Sequence, residues 1–102
     1  MSVISVNKSN FEEVKNSGKK VLLDFYADWC GPCRMVSPLV DEIAAENPQY
    51  LVGKINVDDE PELAHAFGVS SIPMLAVMEG GKVINRSVGA RPKEQILELL
   101  EG

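Results

Sequence analysis

Short apolar runs alternate along this chain with segments whose apolar positions recur every three or four residues. Val3 to Val6 (VISV) is rich in β-branched residues and predicts a first strand. Ser9, with Glu12 three residues on, carries a capping-box signature for a short helix whose Phe11 and Val14 share a face, with Gly18 at its end. Lys20 to Ala27 (KVLLDFYA) is nearly all apolar, as in a central strand covered on both faces, and Asp24 interrupts it. Met35, Val36, Leu39, Val40, Ile43 and Ala44 follow at helical spacing and predict one long amphipathic helix, kinked at Pro38 and broken near ENPQY. Tyr50 to Asp58 reads as a second buried strand. Pro61 and Gly68 then bracket a short helix with Leu63 and Phe67 inward. Two strands around Gly80-Gly81 predict a hairpin, and Pro92 opens a closing helix with Ile96, Leu99 and Leu100 as its apolar stripe.

The resulting order is β α β α β α β β α. Strands separated by helices imply parallel pairing, and the late hairpin adds antiparallel strands. The expected fold is therefore α/β, one domain over residues 1–102, with a mixed central sheet and helices on both faces. Composition narrows the function. Fifteen acidic against ten basic residues give a net charge of −5, which argues against a nucleic-acid partner. The longest apolar runs are strand-sized, so no membrane span is expected. The opening residues lack the pattern of a signal peptide, which suggests a cytoplasmic protein.

Both cysteines, Cys30 and Cys33, lie in the stretch DFYADWCGPCRM, between a predicted central strand and a long helix. A helix N-terminus offers free N–H groups and partial positive charge, which favour a thiolate. Gly31 permits a tight backbone, and Pro32 suits a first helical turn because its missing N–H is not needed there. A structural disulfide is unlike a reducing compartment and adds little stability across so short a loop. A zinc site needs four ligands. The chain has no second cysteine pair and a single histidine, His65, about 200° around its helix from Leu63. No metal site is therefore expected. Two inert core cysteines remain an alternative to a redox pair at this point.

The segment Trp29-Cys30-Gly31-Pro32-Cys33 resembles the WCGPC motif of the thioredoxin family. The resemblance runs along essentially the whole chain: Asp24 before the motif, Pro38 after it, Lys54 in GKINVD, Ser71-Ile72-Pro73, and Val88-Gly89-Ala90. It implies a thioredoxin fold and a protein-disulfide reductase. In such a protein Cys30 is the exposed nucleophile and Cys33 the more buried resolving thiol. No cofactor is bound. Reducing equivalents come from NADPH through a flavin-containing thioredoxin reductase, and the other partners are disulfide-containing proteins met by a monomer. Asp24 would be a buried carboxyl that takes the Cys33 proton, modulated by Lys54 from the neighbouring strand. The alternatives are a polar residue near a strand end and an ordinary snorkelling lysine. The resemblance further implies a cis Ile72–Pro73 bond and a docking surface of Trp29, Gly31, Pro32, Ile72, Pro73, Gly89 and Ala90. Residue by residue, a core aromatic, a strand-entry proline and a turn glycine would serve as well.

Three positions depart from the family's usual residues: Tyr26, Met74 and Met78. Met74 is expected near the thiols, where it would bear on substrate preference. Two other functions fit the same motif, a disulfide-forming or isomerising enzyme and a binding module with incidental thiols. Gly-Pro between the cysteines, the reducing version in this family, favours the reductase.

Overall fold

A computed structural model describes residues 3–102. The order is β1 (Val3–Ser5), α1 (Phe11–Lys15), β2 (Lys20–Tyr26), α2 (Gly31–Glu46), β3 (Tyr50–Asn56), α3 (Pro61–Ala66), β4 (Met74–Glu79), β5 (Lys82–Val88) and α4 (Lys93–Glu101). The five strands form one sheet in the order β1-β3-β2-β4-β5. β1, β3 and β2 run parallel, and β4 and β5 are antiparallel. Among the described residues, no helix is long and apolar enough to cross a membrane.

Alternation along the strands assigns the two faces. Val21, Leu23 and Phe25 of β2 pack with Val14 of α1 and with Leu63 and Phe67 on the α3 side. Leu22 points the other way, into a core with Val36, Val40 and Ile43 of α2 and Ile96 and Leu100 of α4. Each such fully buried side chain contributes about 1.5–3 kcal/mol of transfer free energy. β2 is therefore covered on both sides, as its continuous apolar run requires. Asp24 and Lys54 are the even-numbered exceptions on the α2 side. Parallel register sets them directly opposite one another on β2 and β3.

Several boundaries differ from the sequence expectation, for local reasons. Ser9 does not cap α1. Asn7 Oδ1 accepts from the N–H groups of Ser9 at 2.8 Å and Asn10 at 3.0 Å, and Asn10 Oδ1 accepts from Asn7 N–H at 2.8 Å. This reciprocal pair builds the turn itself, so Asn10 is the capping position and the helix starts at Phe11. The helix ends at Lys15, and Gly18, with φ of 81°, serves the turn into β2 instead. β3 stops at Asn56, whose Oδ1 accepts from Asp58 N–H at 2.9 Å and turns the chain out of the sheet. α2 continues past Pro38, which is exposed to solvent. At the hairpin Gly80 and Gly81 both have positive φ, 62° and 80°, as a tight two-residue turn requires.

Candidate active site

β2 delivers the chain to the sheet's C-terminal edge, and α2 starts five residues later. Cys30 is the N-cap of α2, with extended backbone, and its Sγ accepts the backbone N–H of Cys33 at 3.2 Å. Pro32 occupies the first turn, as its sequence position predicts. The cap sets the Cα atoms of Cys30 and Cys33 5.3 Å apart, and the two residues are joined as a disulfide. Exposure does not separate the two residues: Cys30 is 4% and Cys33 3% exposed, so Cys30 is not the markedly more exposed of the pair.

Their surroundings do separate them. Cys30 lines an apolar groove of about 490 Å³ with Trp29, Gly31, Pro32, Val57 and Ile72. Trp29 is 68% exposed, and its indole N–H donates to Asp58 Oδ2 at 2.9 Å, which holds the ring at the groove's rim. The Ile72–Pro73 bond is cis, and Pro73 is buried. The Pro73 carbonyl accepts the N–H of Gly89 at 2.8 Å. That bond draws the end of β5 in beside the cis proline. Gly89, with φ of 99°, makes the turn that leaves Ala90 exposed. Ala90 lies against Met35, Val36 and Leu39 of α2, in a second, smaller apolar cleft.

Cys33 faces another environment. It lines a shallow cleft of about 200 Å³ with Tyr26, Ala27, Asp28, Arg34 and Ser37. On the same side of the sheet Asp24 is 1% exposed, and neither carboxylate oxygen has a hydrogen-bond partner. Burial pushes its pKa from the ordinary 3.8 up to about 6. The Lys54 ammonium opposes that rise and the Asp41 carboxylate adds to it. Lys54 is not ion-paired with Asp24. Its Nζ binds Asp41 Oδ1 at 2.8 Å and Ser37 Oγ at 2.5 Å.

The structure thus brings Cys30, Trp29, Gly31, Pro32 and Ile72 together around one groove, with Cys33 bonded to Cys30 behind it and Pro73, Gly89 and Ala90 joined to it through the cis-proline contact. Asp24 and Lys54 lie beneath, on the sheet. Met74 does not reach this surface. It is 1% exposed and is buried with Phe25 and Phe67 in the core that underlies the groove walls Val57, Val69 and Ile72. His65 is exposed on its helix. Sequence reasoning missed Val57 and Val69 as groove walls, Asp58 as the partner of Trp29, and Ser37 and Asp41 as the partners of Lys54. A usable signal existed for the last two, because Ser37 and Asp41 follow Cys33 at four-residue steps on α2.

Comparison with known proteins assigns the chain. The family model described as Thioredoxin matches residues 2–102. The chain belongs to the thioredoxin family. It is 47% identical over 102 residues to a thioredoxin of Pyropia yezoensis, covering 98% of this chain and 95% of that one. It is 48% identical over 90 residues to the bifunctional thioredoxin reductase/thioredoxin of Mycobacterium leprae, covering 87% of this chain and 20% of that protein. Among solved structures, a mutant thioredoxin from Halobacterium salinarum NRC-1 superposes with a TM-score of 0.91 at 36% identity, covering 98% of this chain and 88% of that one. With its paired cysteines, this thioredoxin-family chain is a thiol–disulfide oxidoreductase that reduces disulfides.

Proposed function

We propose that residues 1–102 form one thioredoxin domain in which Cys30 is the nucleophile, Cys33 the resolving thiol and Asp24 the proton acceptor. In the reduced protein the Cys30 thiolate attacks one sulfur of a partner's disulfide. A Cys30–partner bond forms, the partner's S–S bond breaks, and the departing thiolate takes up a proton. Cys33 passes its proton to Asp24 and attacks Cys30 Sγ. The Cys30–Cys33 bond forms, the Cys30–partner bond breaks, and the second partner thiolate takes up a proton, so the partner leaves as a dithiol, reduced by two electrons. The observation that carries this assignment is the Cys33 N–H bond to Cys30 Sγ at the start of α2. The N–H and the helix dipole both favour negative charge on that sulfur. Asp24 is supported as the acceptor by its unpartnered burial and raised pKa, which leave it ionised at neutral pH yet a stronger base than an ordinary carboxylate.

The docking surface we infer comprises Trp29, Gly31, Pro32, Ile72, Pro73, Gly89 and Ala90. Its support is the apolar groove at Cys30 and the cis Ile72–Pro73 bond, with Ile72 lining that groove. Lys54 modulates Asp24 from the adjoining strand. Reducing equivalents reach the disulfide from NADPH through a flavin-containing thioredoxin reductase. The fused reductase/thioredoxin relative supports that partner. A cytoplasmic setting suits a dithiol that must be kept reduced for electron transport. A monomer suits a sheet whose apolar faces are covered within one chain.

The test is NADPH-driven reduction of insulin disulfides with a thioredoxin reductase, backed by a dithiothreitol-driven assay. Turnover by the parent and none by Cys30→Ser is the expected result. Equal turnover by Cys30→Ser overturns the nucleophile assignment.

A further inference from the structure

Three residues of α2, Cys33, Ser37 and Asp41, stand four residues apart and so form one stripe along the helix. Beneath them the sheet presents Asp24 and Lys54, opposite one another in register. A lysine so placed has two acidic groups within reach of its long side chain. It takes the outer one. Its Nζ binds Asp41 Oδ1 at 2.8 Å and Ser37 Oγ at 2.5 Å, and the Asp24 oxygens are left with no partner. The outer pair is the better solvated choice, because the Asp41 side chain is 57% exposed and Asp24 is 1% exposed.

We propose that Ser37 and Asp41 are positioning residues, which anchor the Lys54 ammonium away from Asp24 and so leave that carboxyl unpaired and able to hold a proton. This rests on the reading of Asp24 as the proton acceptor. Had Lys54 closed on Asp24, the carboxylate would be fixed in its charged form by a buried ion pair and would accept a proton only at low pH. Anchored outward, the ammonium still lowers the charging cost of Asp24 through space, without neutralising it. The groups facing Asp24 can be named element by element. β3 contributes Lys54, and α2 contributes Asp41. β4 contributes the apolar Leu75, and α4 adds Ile96 and Leu100 to the core on that side.

The experiment is a carboxyl-carbon NMR titration of Asp24 in the oxidised protein. It reads the anchor directly, whereas the exchange kinetics of Asp24→Asn read the proton-acceptor role separately. Asp41→Asn is expected to lower the Asp24 midpoint by about one unit, the effect of a cation drawn to within contact distance. Ser37→Ala, which changes no charge, should lower it by a smaller step. Lys54→Met should raise it, and in that background Asp41→Asn should lose most of its effect. An Asp24 midpoint unmoved by Asp41→Asn overturns the proposal. So does a fall of the same size with and without Lys54, because Asp41 would then act by its charge alone. No movement with Ser37→Ala removes Ser37 from the anchor.

Discussion

Cys30 and Cys33 are almost equally buried, yet the molecule differs sharply on their two sides. On the Cys30 side lie an apolar groove, an exposed indole and the backbone beside a cis proline. On the Cys33 side lie a buried unpartnered carboxyl and a lysine bound to a serine and an aspartate. Two identical thiols in a four-residue motif therefore acquire different surroundings. The helix end and the loops shape one side, and the register of parallel strands shapes the other. Burial alone does not distinguish the two thiols; the proposed assignment of attacking and resolving thiol rests on the groups around each of them.

The comparison breaks most visibly at Cys30. Cys30→Ser should abolish reduction of protein disulfides, because no sulfur remains on the groove to form the mixed disulfide. The next largest effect belongs to Asp24. Asp24→Asn should slow release of the reduced partner by roughly 10²-fold at pH 7, the lower end for loss of a general base. The wild-type rate of that step should rise as pH passes through about 6, where Asp24 gives up its proton, and the variant should lack that inflection.

The same substitution should stabilise the fold. The folded pKa of Asp24 lies above its ordinary 3.8, so the folded state binds the extra proton between pH 3.8 and about 6. Stability is therefore greatest below that range and falls as pH rises through it. At neutral pH the wild type carries the full cost of a buried carboxylate, about 3 kcal/mol for a shift of this size. Asp24→Asn should recover about 2–3 kcal/mol at pH 7 and little at pH 3.5 in denaturant titrations. A variant no more stable at pH 7 would contradict the account of a desolvated charge. The smallest effect is on the groove side. Trp29→Ala should weaken turnover with protein substrates a few-fold, read as a rise in KM, and leave stability nearly unchanged, since most of the ring is exposed.

Much of this was legible in the sequence. The apolar run from Lys20 shows a doubly covered strand, Gly80-Gly81 marks the hairpin, and WCGPC holds both sulfurs within four residues. What escaped the sequence depends on side chains meeting across distance or on short-range competition for backbone groups. Asn7 and Asn10 outcompete Ser9 for the turn before α1, and both kinds of residue favour such positions. Met74 follows the cis proline in sequence, but strand alternation turns it into the core with Phe25 and Phe67, beneath the groove walls Val57, Val69 and Ile72 and out of reach of the surface. Lys54 has two carboxylates to choose between, and only the packing of α2 over β3 shows that Asp41 wins.

The division of labour between the sulfurs is tested most directly by trapping. Each single-cysteine protein, Cys33→Ser and Cys30→Ser, is reduced, mixed with a disulfide-containing protein, and examined intact by mass spectrometry. The account predicts that Cys33→Ser accumulates a one-to-one mixed disulfide through Cys30, whereas Cys30→Ser accumulates none on the same timescale. Equal trapping through Cys33 would contradict it, and would mean that the groove at Cys30 does not select the attacking sulfur.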